Sequence, residues 1–153
     1  MADTILEQIA QKIKTELLEL KTAGTVVDVI RPVRYGKAPS FVDKLLILEQ
    51  GPERLDEEVT NPSFGLLYRV QRFRVICCIS LAETSTDAVD THINNLVGAV
   101  QKKLLENRTW TGLASDTRLL PVSPFPSSAT IDGAWVDVDV HYRVAENNPF
   151  AQA

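Results

Sequence analysis

The sequence predicts an α+β domain: a two-layer sandwich in which two helices pack on one face of an antiparallel or mixed β-sheet. Two segments carry apolar residues at helical spacing, and five others are rich in β-branched residues or alternate at strand spacing. Their order along the chain is helix, two strands, a long strand, helix, two strands. With 153 residues, 44% of them apolar, the chain fits one domain over residues 1–153.

The first helix is predicted from Thr4 to Gly24. Thr4 and Glu7 have the spacing of a capping box, and Gly24 is a typical helix end. Five apolar residues share one helical face, which indicates that this face packs on a core. These residues are Leu6, Ile9, Ile13, Leu17 and Leu20.

The second helix is predicted from a cap at Ser85 or Thr86 to about Glu106. Asp90 near its start and Lys103 near its end complement the helix dipole. An apolar stripe predicts its buried side. The stripe consists of Val89, Ile93, Leu96, Val97, Val100 and Leu104.

Five strands are predicted, at residues 25–30, 44–49, 66–81, 118–122 and 134–144. Pro121 marks the fourth as an edge strand, because proline has no N–H to donate to a ladder. The last strand alternates most regularly. One side carries Ala134, Val136, Val138, Val140, Tyr142 and Val144, and the other carries Trp135, Asp137, Asp139, His141 and Arg143. In the long strand, Phe73 is predicted to face the core.

Two segments are predicted to lack regular structure. Residues 51–65 are acidic and punctuated by glycine and proline, so they read as a long loop. Residues 146–153 read as a flexible tail. Both are hypothetical contact segments, together with the basic connection at residues 31–38.

Composition and charge exclude several classes of protein. A formal net charge of −4 argues against a duplex-binding protein, which needs a concentrated excess of Lys and Arg. The start of the chain lacks the pattern of a secretory signal, and no run of 18 apolar residues occurs. We therefore expect a protein that is neither exported nor membrane-spanning. Cys77 and Cys78 are adjacent, so on a strand they face opposite ways and should remain reduced thiols.

Patterns for catalysis are sparse, so we expect no enzyme and no cofactor. The chain lacks the glycine patterns of phosphate-binding loops and the setting of a nucleophilic serine. Asp137, Asp139 and His141 alternate on one strand face, about 6.7 Å apart, a spacing that could seat a metal ion. A small metal-dependent enzyme is therefore one alternative, but a solvent-facing strand with mixed charges is the favoured interpretation.

Basic residues form two clusters along the chain, which are Arg31/Arg34/Lys37 and Arg69/Arg72/Arg74. Few aromatic residues accompany them, so a nucleic-acid module is a weak alternative. The simpler hypothesis is that these clusters form salt bridges with the acidic loop of a neighbouring copy.

The order of elements resembles the tail-terminator and tail-completion (head–tail joining) proteins of long-tailed bacteriophages. The likeness lies in the opening helix, the strand at 68–81 that leads into the second helix, and the ending. That ending reads Trp135-Val136-Asp137-Val138-Asp139-Val140-His141-Tyr142-Arg143 and is followed by Asn147-Asn148-Pro149. The resemblance covers nearly the whole chain and consists of order and pattern, without a diagnostic motif.

The resemblance implies a virion subunit, assembled in the host cytoplasm, that forms a homohexameric ring. Such a ring caps the tail tube protein, ends tail growth, meets the head–tail connector protein and lets DNA pass through its lumen without specific binding. Another neck or head-completion component is the alternative. Interface residues expected on this basis are Arg31, Arg34, Tyr35, Lys37, Phe64, Arg72, Arg74 and Phe150. Trp110 is a further candidate for an exposed aromatic contact.

Overall fold

A sheet curled as a half-barrel, with two helices packed on it, forms the α+β fold that the sequence predicts. The computed structural model describes residues 2–32, 43–56, 66–81, 88–124, 128, 130–145 and 148–152. Within these ranges the elements are α1 (Ile5–Thr22), β1 (Asp28–Ile30), β2 (Lys44–Leu55), β3 (Leu66–Ser80), α2 (Val89–Glu106), β4 (Asp116–Leu119), β5 (Ser123–Pro124), β6 (Ile131–Ala145) and β7 (Asn148–Gln152). Neither described helix has the length and apolar character needed to cross a bilayer.

The sheet is built around two long antiparallel strands, β3 and β6. Each has 15 residues, and they pair along their full length, from Leu66 opposite Ala145 to Ser80 opposite Ile131. The strand order is β1-β2-β3-β6-β4, while β5 and β7 also pair with β6. Strand β1 runs parallel to β2, and the other pairs are antiparallel, so the sheet is mixed.

One face of the sheet, the core face, packs against both helices. The predicted inward side of the last strand is confirmed, because its six apolar residues all belong to the buried core. Phe73 is also fully buried in that core, as predicted. Cys77 lies among these residues, whereas its neighbour Cys78 is buried outside the core cluster, and both are free thiols. We call the opposite side of the sheet the outer face.

Helix α1 begins and ends as its sequence predicts. The Glu7 backbone N–H donates to the Thr4 hydroxyl at 3.1 Å, which is the N-terminal half of a capping box. At the other end Gly24 has a φ of +78°, a left-handed conformation that glycine adopts without steric cost. There the Thr25 N–H donates to the Leu20 carbonyl at 2.9 Å. The apolar stripe of α1 is buried in the core, with Leu6 at its margin.

Helix α2 begins later than predicted. Its N-cap is Ala88, which has extended backbone geometry and no side-chain cap, so the prediction of a cap at Ser85 or Thr86 is wrong. Those two residues themselves lie outside the described ranges. Asp90 in the first turn places a negative charge near the positive end of the helix dipole. The buried stripe is confirmed at Leu96, Val97, Val100 and Leu104.

The acidic loop predicted at residues 51–65 is wrong in its first part, because β2 continues to Leu55. Gln50 pairs with Phe73 and Glu53 pairs with Gln71, so Gly51 and Pro52 together oppose one residue of β3. This is a β-bulge, and it lets a strand pass through a glycine–proline pair that the sequence suggests as a turn. The Gln71 side-chain amide donates to the Gly51 carbonyl at 2.7 Å. Residues 57–65 of the predicted loop lie outside the described ranges.

The flexible tail predicted at residues 146–153 is wrong for residues 148–152. These form β7, which turns back along β6 with Ala145 opposite Asn148 and Val144 opposite Gln152. Pro149 is tolerated because β7 is a short strand at the margin of the sheet, where its missing N–H breaks no central ladder. Residues 146, 147 and 153 are not among the described positions.

The strand predicted at residues 118–122 is two shorter strands, β4 and β5, on either side of Pro121. Pro121 cannot donate a backbone hydrogen bond, so pairing with β6 breaks there. The first strand is likewise shorter than predicted. The Thr25 and Val26 N–H groups bond back to Leu20 of α1, the Val27 N–H is the first to donate to β2, at the Lys44 carbonyl, and the paired register starts at Asp28.

Trp110 is buried, which corrects its assignment as an exposed contact residue. It lies in the turn between α2 and β4 with a φ of +48°, and its indole ring belongs to the core. The indole N–H donates to the Thr117 hydroxyl at 2.8 Å, and that hydroxyl donates to the Arg108 carbonyl at 2.7 Å. A large aromatic ring with its polar atom satisfied therefore closes this end of the core.

Candidate interaction surface

Four charged residues form a ladder on the outer face, where β3 and β6 lie side by side. In the register of these strands Arg72 is opposite Asp139, and Arg74 is opposite Asp137. Arg72 donates to Asp139 at 3.0 and 3.3 Å, and Arg74 donates to Asp137 at 2.8 and 2.9 Å. Both pairs are bidentate, the geometry in which a guanidinium binds a carboxylate most strongly. We call these four residues the arginine–aspartate ladder.

The aspartates of the ladder are buried beneath its arginines. The side chains of Asp137 and Asp139 are each 11% exposed, so the prediction that they face solvent is wrong. Two neighbouring guanidinium groups shield them from water, and Arg74 also lies 4.1 Å above the centre of the Trp135 ring. The hydrogen bond to Asp139 raises the pKa of Arg72 above its usual range. The carboxylates therefore fix the positions of arginines whose outer atoms reach solvent.

Two further arginines flank Asp139, and the sequence did not single them out. Arg54 on β2 has its Nη2 atom 3.9 Å from the Asp139 carboxylate, and its side chain is 61% exposed. Arg118 on β4 is opposite Asp139 in register, and its side chain is 66% exposed. Its Nε lies 3.5 Å from Asp116, a long contact. Arginines from β2, β3 and β4 thus surround one buried carboxylate of β6.

His141 lies next to this group, in a shallow depression of about 220 Å³. Its Nδ1 is 4.0 Å from a carboxylate oxygen of Asp56. Burial lowers the pKa of His141, and the nearby charge of Arg118 lowers it further. The imidazole is therefore neutral near pH 7 and adds no cation to the surface.

The arrangement does not favour the metal-site alternative. The carboxylates of Asp137 and Asp139 bond to arginines, whose charge opposes a metal ion. Among the described residues, the group that brings three possible ligand atoms within 4.8 Å of one another consists of Glu16, Glu19 and Glu106, on the helices. Asp137, Asp139 and His141 share a strand face, as predicted, but without the convergence that a metal centre needs.

The predicted interface residues do not form one group in the described part of the chain. Arg31 binds Glu7 at 2.7 Å and the Gln50 side chain at 3.0 Å, so it joins α1 to β2 within the subunit. The hydrogen bond from Arg31 lowers the pKa of Glu7. Phe150 is exposed on β7. The remaining predicted positions, Arg34, Tyr35, Lys37 and Phe64, lie outside the described residues.

The predicted cluster of Arg69, Arg72 and Arg74 is divided between the two faces of the sheet. Arg69 pairs in register with Tyr142, a residue of the core face, and donates to Glu53 at 3.1 Å. The Tyr142 hydroxyl donates to the same carboxylate at 2.5 Å. Burial and this hydrogen bond raise the pKa of Tyr142. Strand alternation alone separates Arg69 from the other two arginines.

The ladder gives a stability prediction that can be measured. Arg74→Ala leaves the Asp137 carboxylate buried without its main donor, so we expect the free energy of unfolding to fall by about 2 kcal/mol. The loss should be smaller than for a fully buried pair, because Arg74 is partly exposed. Urea unfolding of Arg74→Ala, Asp137→Ala and the double variant measures the coupling, apart from the lost contact with Trp135.

A matched control is Arg108→Ala, which removes a more exposed bond to Asp116 at 2.9 Å. Its expected cost is below about 1 kcal/mol, as for surface ion pairs generally. Equal costs for Arg74→Ala and Arg108→Ala would contradict the burial of the ladder.

The outer face offers an open, charged surface. Its arginine–aspartate pairs are spread across four strands, an arrangement suited to contacts with a second charged surface. Neither the protein-family models nor the curated proteins compared with this chain give a match.

Proposed function

We propose that this chain is a structural subunit of a phage tail. Copies of it form a ring that caps the tail tube, ends tail polymerisation and joins the tail to the head connector. The observation that carries the proposal is the outer face, where arginines from three strands lie exposed on an open sheet above buried carboxylates. Proteins that assemble by surface complementarity place their polar groups in this way, on broad faces rather than in clefts.

The architecture gives the proposal further support. The resemblance to tail-terminator proteins rests on the order of the elements. In that order the opening helix α1 comes before the 15-residue strand β3, α2 follows β3, and the 15-residue strand β6 comes near the end of the chain. A closed ring of identical subunits requires two different patches on each subunit. Here the helices cover one side of the sheet and the charged outer face forms the other, so each subunit has two chemically distinct sides.

The expected partners follow from the ring. One rim contacts the tail tube protein and the other contacts the head connector, which places the protein in the neck of the virion. DNA passes through the ring without specific binding. The net charge of −4 is compatible with that role, because a protein that grips duplex DNA needs an excess of cations along the phosphate backbone.

The proposal is tested by the mass and shape of the purified protein. We expect native mass spectrometry to give six times the 17.0 kDa mass of one chain, and electron microscopy to show rings. When the tail tube protein of the same virion polymerises with this chain present, the tubes should be shorter and should carry a ring at one end. Tube protein alone is the control and should continue to elongate.

The same experiments define the result that would contradict the proposed function. A single 17.0 kDa species at every concentration, both alone and with the tube protein, together with unchanged tube lengths, would overturn the proposed function.

A further inference from the structure

We propose that Arg54 and Arg118 on the outer face of one subunit bind the acidic helical surface of a second copy, formed by Glu16, Glu19 and Glu106. This inference rests on the proposed function, because it identifies two patches through which neighbouring subunits of a ring would meet. It also moves the expected contact away from Arg72 and Arg74, which bond to their own subunit.

The arginine side of the contact has its positive charge outermost. Four guanidinium groups and three carboxylates share this part of the outer face, so the charges nearly balance in number. The two signs of charge differ in exposure. Arg54 and Arg118 are 61% and 66% exposed, whereas the carboxylates beside them are more buried. The group comprises Arg54, Arg72, Arg108 and Arg118, with Asp56, Asp116 and Asp139. An approaching surface therefore meets guanidinium groups first.

On the acidic side the carboxylates are more exposed than the cation that binds them. Carboxylate oxygens of Glu16, Glu19 and Glu106 lie within 4.8 Å of one another, where α1 packs beside α2. Lys103 bonds to Glu19 and Glu106, two of the three carboxylates. The lysine side chain is 18% exposed, against 59% for Glu19 and 42% for Glu106. Among these four residues the carboxylates are therefore outermost. The exposed Lys102 acts on Glu106 as a second cation, so the acidic patch keeps a net charge of −1.

The two patches are opposite in charge and lie on opposite sides of the sheet. Exposed guanidinium forks bind carboxylates in defined geometry, and an added cation relieves the repulsion among three crowded carboxylates. Arg54 on β2 and Arg118 on β4 are three strand spacings apart, about 14 Å. The patches lie on opposite sides of the sheet, so their contact is head-to-tail, the type that closes into a ring when the rotation between copies permits.

A second copy fits the observations better than nucleic acid does. The chain as a whole is acidic, with a charge of −4, and each exposed arginine has carboxylates beneath it that would repel phosphate. The same chain supplies the complementary surface. Binding of duplex DNA to this face is the alternative that the experiment below distinguishes.

The test reverses charge on each side of the contact. Arg54→Glu with Arg118→Glu should raise the dissociation constant of the ring at least 10-fold in native mass spectrometry and sedimentation. Both side chains are mostly exposed and Arg72 still binds Asp139, so the melting temperature should fall only slightly. Glu19→Arg with Glu106→Arg should also weaken the ring. Mixing the two variants should restore rings in which they alternate, since every contact is then again between opposite charges.

The matched control for a single reversal is Lys21→Glu. Lys21 is half exposed and bonds to Asp28 at 3.1 Å, next to β1 and away from the arginine patch. Arg118→Glu alone should already weaken the ring, whereas Lys21→Glu changes the net charge by the same amount and should leave the ring intact.

The outcomes separate this inference from the function on which it rests. Rings of Arg54→Glu/Arg118→Glu that are as stable as those of the wild type would overturn the inference and leave the proposed function standing. A wild-type protein that stays monomeric even with the tube protein would overturn both. Intact rings whose salt-dependent binding to duplex DNA is lost in the arginine variant would assign this face to nucleic acid instead.

Discussion

Replacing Gly133 with alanine is expected to cause the largest loss of stability in this protein. A Cβ atom at this position would lie 1.8 Å from the Cys77 carbonyl oxygen, far inside van der Waals contact. The obstructing atom is backbone within the central β3–β6 pair, so no side-chain rotation can relieve the clash. We expect a cost at or above the upper end of the ~1–3 kcal/mol typical of overpacking, measured by urea unfolding.

Gly98→Ala is the matched control. Gly98 lies within α2, and an added Cβ meets no atom within 4 Å. Alanine has the higher helix propensity, so this variant should gain about 0.5–1 kcal/mol. If both glycine variants unfolded at the wild-type urea concentration, the close approach of β3 and β6 at Gly133 would be refuted.

Trp110→Ala is expected to have the second largest effect, a loss of about 3–5 kcal/mol in the free energy of unfolding. The indole ring is fully buried, so its removal leaves a cavity at the end of the core. The Thr117 hydroxyl also loses the N–H that it accepts at 2.8 Å. Chemical unfolding followed by circular dichroism measures the change without depending on tryptophan fluorescence.

Trp110→Phe distinguishes packing from hydrogen bonding. Phenylalanine fills most of the volume but cannot donate to Thr117, so its cost should be clearly smaller than that of alanine. A cost below about 1 kcal/mol for Trp110→Ala would instead indicate the exposed ring that the sequence suggested.

Elements with a strong local pattern could be predicted from the sequence. The stripe of α1 repeats over about four turns, and β6 alternates over eleven consecutive residues. Each pattern therefore predicts both the type of element and its buried face. Long strand β3 was predictable for the same reason. These three elements fix the fold class, which depends on the types of element and their order.

The candidate surface could not be predicted, because it depends on pairing between distant residues. Arg72 and Asp139 are 67 positions apart, and Arg74 and Asp137 are 63 apart. Alternation shows that Asp137 and Asp139 share a face, but it carries no information on which strand lies beside them. Without that register a row of aspartates reads as solvent-facing, although here arginines cover it.

The errors in the predicted loop and tail have a similar origin. Gly51, Pro52 and Pro149 are residues that usually interrupt strands, and each is accommodated by its position in the finished sheet. A bulge accommodates the first two and a marginal strand the third. The bulge and the marginal strand both depend on how neighbouring strands pair, and the local sequence does not show that pairing.

The bulge at Gly51 and Pro52 also decides which charges each side of the molecule carries. Before it, even-numbered residues of β2 such as Leu48 point to the helices; after it, odd-numbered residues such as Glu53 do so. The extra residue inverts the parity of the strand. It delivers Arg54 to the ladder and Glu53 to Tyr142, and a strand one residue shorter would exchange these two opposite charges. A single inserted residue thus determines which face of the sheet carries the positive side chain and which carries the negative one at the end of β2.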